Sequence, residues 1–116
     1  MKHDLVLKNL RIIDPRNGVD KVADLGMDGG KISEIGSIGG GVSEMDLSGL
    51  ACIPGLIDIH SHLEQSYLGR ASMAGLAREG TTTVLDMAGP IDVVLDNIRQ
   101  YGCGLNVGIV EATRPN

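Results

Sequence analysis

The pattern of hydrophobic and polar positions changes once along the chain, near residue 51. Before that point, short runs of apolar and polar residues are separated by turn-forming residues such as Asp28-Gly29-Gly30, a pattern that predicts short strands joined by tight turns. The predicted strands are residues 4–8, 10–14, 22–27, 31–35 and 42–47. Short, closely spaced strands of this kind indicate a small antiparallel β unit over residues 1–52.

After residue 51, predicted strands alternate with predicted helices. Residues 51–60 are largely apolar and end in polar residues, which is typical of a buried parallel strand with a functional end. Further strands are expected at residues 81–86 and 105–110, and helices at residues 68–79 and around the apolar stripe Ile91, Val94, Leu95 and Ile98. Strands that alternate with helices in this order predict a parallel α/β unit with crossover helices over residues 53–116.

Composition excludes several classes of function. The net charge is -5 and there is no run of basic residues, so nucleic acid is not an expected partner. The longest uncharged stretch, residues 47–57, is too short to span a bilayer, and the N-terminus lacks the apolar region of a signal peptide. With only two cysteines, distant in sequence, neither a disulfide framework nor a thiolate zinc site is indicated. We therefore expect a cytoplasmic globular protein without a membrane partner.

The segment His60-Ser61-His62 is the strongest candidate for chemistry. Side chains at positions i and i+2 of a strand point the same way, so both imidazoles should lie on one face, on the same side as Asp58. Two nitrogen donors on one face suit a divalent transition metal, zinc in particular. They also follow a predicted parallel strand, where α/β barrels place their catalytic groups. The plain alternative is a pair of surface or structural histidines, and His3 is assigned no role.

The chain resembles the start of the metal-dependent amidohydrolases over essentially its whole length. The similarity is carried by IPGLIDIHSH at residues 53–62, by EGTTTVLD at residues 79–86 and by the preceding β unit. The resemblance implies an α/β fold in which a β-sandwich segment, residues 1–52, precedes the first three strands of a (β/α)₈ barrel, residues 53–116. It also implies that His60 and His62 ligate a metal and that the Asp58 carboxylate orients an imidazole.

The substrate is less well indicated than the family. Residues 62–64 and 68–69 are similar to hydantoinases and dihydropyrimidinases, which hydrolyse cyclic amides and ureides. Dihydroorotases usually have an arginine where this chain has Glu64, which disfavours that branch, and D-aminoacylase-like deacylation stays open. Glu64, Asp86 and Glu111 are candidate substrate-side residues, with a solvated loop charge or a helix cap as the alternative role.

A complete barrel of this type needs about 250 residues, whereas the chain has 116. We expect the N-terminal portion of a longer C–N hydrolase, with no catalytic residue assigned within this chain and one or two metal ions, zinc first, in the complete protein. The expected partners are a small amide substrate and the missing C-terminal half of the barrel. A second copy of the same chain, forming a homo-oligomer, is a further candidate partner. The competing hypotheses are a non-catalytic barrel homologue or assembly module, and a half barrel whose histidines bind metal adventitiously.

Overall fold

A computed structural model describes residues 2–63, 69–87 and 89–111, and the fold is mixed α/β as predicted. The chain divides into two compact units, Met1–Pro54 and Gly55–Asn116, which are called the first and second unit below. The strands of the first unit are β1 His3–Asp14, β2 Val19–Asp28, β3 Lys31–Gly36, β4 Gly41–Asp46 and β5 Ala51–Cys52. The second unit contains β6 Leu56–Ser61, α1 Gly69–Arg78, β7 Thr81–Met87, α2 Ile91–Tyr101 and β8 Asn106–Val110.

The first unit contains one sheet in the order β3-β2-β1-β4, with β5 also pairing with β1. The β1–β2 and β2–β3 pairs are antiparallel, whereas β4 and β5 run parallel to β1. The expected antiparallel pairing is therefore confirmed for β1–β2 and β2–β3 and wrong for β4 and β5. Alternation within a strand predicts its faces but not its neighbour or its direction. A sandwich needs a second, facing sheet. Only one sheet lies among the described residues of this unit, so the β-sandwich stays a prediction.

Residues 4–8 and 10–14, predicted as two strands, form the single strand β1. The register with β2 shifts between Leu7 and Leu10, and Asn9 at this point has a φ of 59°. Asparagine tolerates a left-handed backbone better than most residues. The irregularity that suggested a gap between strands is thus a bulge within one strand.

The turn predicted at Asp28-Gly29-Gly30 joins β2 to β3. Gly29 and Gly30 both have positive φ, 55° and 75°, which the primed hairpin turns require at their two central positions. The backbone N–H of Gly29 donates a hydrogen bond to Asp4 Oδ2 at 2.8 Å, and so ties the turn to β1. The predicted hairpin is confirmed.

The core of the first unit consists of Leu10, Ile12 and Leu25 from the two central strands, all nearly fully buried. Beside it, Lys8 Nζ donates to Asp24 Oδ2 at 2.8 Å. Asp24 also accepts the backbone N–H groups of Asn9 and Ile38, each at 3.0 Å. These three donors lower the pKa of Asp24 from 3.8 to about 2, with Lys8 contributing most.

The second unit contains a three-stranded parallel sheet in the order β6-β7-β8, and the helices α1 and α2 alternate with its strands. The predicted strand and helix order is confirmed. Its core is formed by Leu63, Met73 and Val84. Helix α2 ends at Gly102, whose φ of 75° suits a glycine and whose N–H donates to the carbonyl of Ile98 at 2.8 Å.

The long apolar strand predicted over residues 51–60 differs from the structure in two ways. Residues 51–52 pair with β1 as β5, and the second strand starts only at Leu56, after Pro54 and Gly55. In addition, Leu56, Ile57 and Ile59 are 48%, 63% and 69% exposed, so the expected burial is wrong for this chain. Strand β6 is an edge strand that pairs only with β7 among the described residues. Its apolar side chains are therefore left largely uncovered.

Within the described part of the chain, the structure contains no helix long and apolar enough to cross a membrane.

Candidate metal centre

The two histidines of the sequence motif lie together at the carboxyl end of β6. His60 is the penultimate residue of the strand and His62 follows its end, and both are exposed. Their ring centroids are 5.3 Å apart, with an angle of 66° between the ring planes. The i, i+2 spacing has thus placed two imidazoles side by side, as the sequence pattern predicts.

Asp58 contacts the backbone of the first histidine. Its Oδ1 accepts the N–H of His60 at 3.0 Å, a side-chain-to-backbone bond between residues i and i+2 of the strand. The register with β7 is interrupted between Asp58 and Ser61, at the same point. The carboxylate therefore stabilises the local backbone shape at the histidines. The expected orientation of an imidazole ring by Asp58 stays a prediction.

Asp86 lies opposite this segment, on the neighbouring strand. It pairs in register with Ser61, is 0% exposed, and accepts the backbone N–H of Leu63 with Oδ2. Its other oxygen, Oδ1, is buried and has no hydrogen-bond partner among the described residues. Asp58 and Asp86 thus each bind one backbone N–H, on either side of the segment that carries the two imidazoles.

The two histidines have the donor chemistry of metal ligands. Neutral imidazole nitrogens are good ligands for zinc and similar ions, and catalytic zinc sites have three protein ligands. Among the described ranges, no group of three or more His, Cys, Asp and Glu side chains is arranged to hold a metal. The histidine pair therefore fits a metal as two ligands of a larger set.

The three candidate substrate-side residues, Glu64, Asp86 and Glu111, differ in their surroundings. Glu64 lies outside the described residues, and Glu111, directly after β8, is exposed. Because Asp86 and Glu111 lie near the carboxyl ends of parallel strands, they share one edge of the sheet with the histidine pair. The substrate-side role stays a prediction for all three. The full burial of Asp86 favours its contact with the backbone as its main role.

Sequence reasoning missed a polar cluster in the first unit, centred on His3. Its Nδ1 lies 2.7 Å from Asp28 Oδ2 and its Nε2 lies 3.2 Å from Glu34 Oε2, while Ser33 Oγ donates to the same Asp28 oxygen at 2.5 Å. The bond to Asp28 is the largest cause of a raised pKa at His3. These partners are 25 to 31 residues away in sequence, so no local motif indicates the cluster.

The chain is similar in sequence to known dihydroorotases. No protein-family model matches the chain. The dihydroorotase of Streptococcus thermophilus is 36% identical over 103 residues, and that of Streptococcus pneumoniae is 37% identical over the same length. Each match covers 79% of this chain and 24% of the relative, so the chain spans about a quarter of the length of these curated relatives.

Solved structures with a similar fold include three hydrolases. An N-acyl-D-glutamate deacylase from Bordetella bronchiseptica, complexed with zinc, has a TM-score of 0.76 at 21% identity and covers 96% of this chain and 30% of its own. A D-aminoacylase described as defining a subset of amidohydrolases has a TM-score of 0.74 at 22% identity, over 94% of this chain and 29% of its own. An L-hydantoinase from Arthrobacter aurescens has a TM-score of 0.71 at 21% identity, over 92% of this chain and 27% of its own.

The sequence and structural matches together support the resemblance to the amidohydrolases. They also support the prediction from residues 53–62 that the chain is similar to the N-terminal part of such a protein. The sequence relatives named here are dihydroorotases, the branch that Glu64 argues against, whereas the structural neighbours are described as a deacylase and a hydantoinase. The identity of one residue at position 64 is thus too narrow a basis for choosing a branch.

Proposed function

We propose that the complete protein is a metal-dependent hydrolase of C–N bonds in amides or cyclic amides, and that His60 and His62 bind its metal. The observation that carries this proposal is the pair of imidazoles, 5.3 Å apart, at the carboxyl end of β6 in a parallel α/β unit. In barrels built from such units, catalytic groups follow the carboxyl ends of the strands. The β6-β7-β8 sheet would then form the first three strands of a (β/α)₈ barrel, after a β-sandwich segment in residues 1–52.

When bound, the metal would polarise an amide carbonyl and activate water for attack. This chain's contribution is to hold and orient the metal. His60 and His62 would ligate it through neutral ring nitrogens, while Asp58 and Asp86 bind the backbone around them. The remaining ligands and the general base would come from outside this chain, since two protein ligands are fewer than catalytic zinc sites have.

Zinc is the metal we propose first, with one or two ions in the complete protein. Nitrogen donors suit zinc, and the deacylase from Bordetella bronchiseptica is described as a zinc complex. A D-aminoacylase is described as having a binuclear metal centre, and a D-aminoacylase variant is described in complex with copper chloride. Iron, manganese, nickel and cobalt also accept imidazole ligands, so metal analysis decides among them.

The substrate that we propose is a small amide of one of two classes. The first class is cyclic amides and ureides, and the second is N-acyl amino acids. The first is supported by the dihydroorotase relatives and the hydantoinase fold, and the second by the two deacylase folds. The main partner would be the protein's own remaining barrel strands. This proposal is supported by the exposed apolar side chains of Ile57 and Ile59 on the edge strand β6.

The test is an assay of the complete natural protein against both classes: the cyclic compounds dihydroorotate, dihydrouracil and hydantoin, and one N-acetyl-D-amino acid. The protein is assayed as purified, after metal removal with a chelator, and after addition of zinc. The proposal predicts hydrolysis of at least one compound, loss of that activity without metal, and its return with zinc. A folded protein that hydrolyses none of them and is indifferent to metal would instead favour the non-catalytic homologue.

A further inference from the structure

Asp86 is a buried carboxylate that the proposed metal chemistry does not use directly. It lies on the central strand β7, in register with Ser61 of β6 and Ile109 of β8, and is 0% exposed. Burying a carboxylate away from water is costly unless hydrogen bonds compensate it. Only one of the two oxygens has a partner among the described residues, and that partner is the N–H of Leu63. An apolar side chain here would avoid this cost, so the carboxylate must contribute something that an apolar residue cannot.

Asp86 contacts the main chain beside the histidine pair. The carboxylate accepts the backbone N–H of Leu63, the residue that directly follows His62. Its contribution to a metal site would therefore pass through the protein backbone.

Leu63 is held in two ways. Its side chain is 1% exposed and packs with Met73 and Val84 in the core of the second unit. Its N–H is held by Asp86, from the adjacent strand. The exposed His62 thus lies immediately before a residue whose side chain and backbone are both fixed. On the other side of the pair, Asp58 of the same strand binds the N–H of His60.

We propose that Asp86 is a positioning residue for the metal site: by accepting the Leu63 N–H, it fixes the backbone after His62 and thereby the direction of that imidazole relative to His60. This inference rests on the proposed function for the presence of a metal. The contact between Asp86 and Leu63 does not depend on the metal, so metal-free protein can be tested as well.

Two substitutions separate the hydrogen bond from the charge. Asp86→Leu removes the acceptor and keeps the branched shape of the side chain at a larger volume, whereas Asp86→Asn removes the charge but keeps an amide oxygen that can accept the Leu63 N–H. Asp96→Asn is the matched control, because Asp96 lies exposed on α2 in an ion pair with Arg99. All variants are made in the complete protein. Amide hydrogen exchange at Leu63 is measured without metal, and cobalt(II) affinity and the visible spectrum of bound cobalt(II) are measured with it.

In Asp86→Leu, we expect the Leu63 amide to exchange faster and the spectrum of bound cobalt(II) to change. We also expect cobalt(II) to bind about 10- to 100-fold more weakly, which is the usual effect of removing a group that orients a metal ligand. Asp86→Asn should restore the protection of Leu63 and most of the affinity, and the control should match wild type. A folded Asp86→Leu protein with wild-type affinity and spectrum would overturn the inference.

If Asp86→Leu does not fold, Asp86→Asn alone tests the positioning role. If Asp86→Asn protects Leu63 as wild type does but loses affinity about 10-fold or more, the charge of Asp86 acts on the metal directly and the positioning role is wrong. Failure of the proposed function looks different, because wild-type protein would then bind no cobalt(II) and the variants would have no affinity to lose. In that case the metal-site role of Asp86 is overturned together with the proposed function.

Discussion

The carboxylate of Asp58 accepts the backbone N–H of His60, two residues ahead on the same strand, with 3.0 Å between Oδ1 and N. A strand normally directs its N–H groups to neighbouring strands or to solvent, so this bond marks a local departure from the ladder. The pairing of β6 with β7 is interrupted at this point, between Asp58 and Ser61. The interruption of the pairing therefore lies in the segment that carries the two imidazoles.

The first prediction concerns Asp58. Asp58→Ala removes the acceptor for the His60 N–H and should weaken zinc binding by the complete protein about 10-fold, because the first imidazole loses its fixed backbone. Asp58→Asn keeps an amide oxygen and should bind zinc nearly as wild type. Zinc affinity is measured by competition with a coloured chelator, and Asp20→Ala is the control, because Asp20 pairs with Arg11 on the surface of the first unit. Wild-type affinity in Asp58→Ala would contradict the role of this bond, whereas equal losses in both variants would indicate that the carboxylate acts on an imidazole ring.

The second prediction concerns the pH dependence of the first unit. The Asp28 and Glu34 carboxylates beside His3 raise its pKa above the ordinary 6.5. A raised pKa in the folded state means that the stabilisation is full below pH 6.5 and is lost as the pH rises through the folded-state pKa. Its lower limit is set by the carboxylates, which must stay ionised.

His3→Gln keeps hydrogen-bonding capacity but does not titrate. The thermal midpoint of the wild type should therefore exceed that of His3→Gln at about pH 5.5, and the difference should shrink toward about pH 9. Thermal unfolding of both proteins across this range measures the difference. A gap that stays constant with pH would show that the His3 cluster contributes no protonation-linked stability.

The third prediction concerns acid stability. Hydrogen bonds from Lys8 and from the backbone N–H groups of Ile38 and Asn9 lower the pKa of Asp24 from 3.8 to about 2. For a lowered pKa, the stabilisation is present above the unfolded-state value of 3.8 and is lost as the pH falls through about 2. Asp24→Asn should therefore lower the unfolding midpoint by several degrees at neutral pH and by progressively less below about pH 4, as the wild type loses the same contribution. Parallel acid titrations of the two proteins would refute this if the midpoint difference grew as the pH fell.

The fourth prediction tests the core of the first unit. Leu10 is 1% exposed and packs with Ile12 and Leu25. Leu10→Ala should lower the free energy of unfolding by about 2–5 kcal/mol, the usual range for a buried leucine. Val22 is 70% exposed on β2, so the matched change Val22→Ala should stay within about 0.5 kcal/mol of wild type. Denaturant unfolding of the two variants compares the sites, and similar effects at both would mean that the core is assigned to the wrong residues.

The elements of this fold could be predicted from the sequence largely because they depend on local patterns. The hairpin at Asp28-Gly29-Gly30 needs only two residues with positive φ, and α2 has a clear apolar stripe ended by Gly102. The parallel pairing of β4 with β1 could not be predicted, because strand partners depend on contacts distant in sequence. The bulge at Asn9 was missed for the same reason, since Asp24 accepts its N–H from another strand.

The candidate site also has some features that local sequence predicts and others that it does not. The side-by-side placement of His60 and His62 follows from a spacing of two residues in a strand. The bond between Asp86 and the Leu63 N–H joins residues 23 apart and involves a main-chain group, which no sequence motif marks. The burial expected for β6 was wrong. An apolar composition shows that the side chains of a strand are suited to burial, but it does not show that other residues cover them.

The most direct test of the central claim is the zinc content of the complete protein with and without the histidine pair. Zinc is measured by elemental analysis in wild type, in the double variant His60→Asn/His62→Asn, and in His3→Asn, which alters the third histidine of the chain. The account predicts at least one zinc ion per chain in wild type and in His3→Asn, and a large loss in the folded double variant. A folded double variant that keeps its full zinc content would contradict the assignment of His60 and His62 as metal ligands.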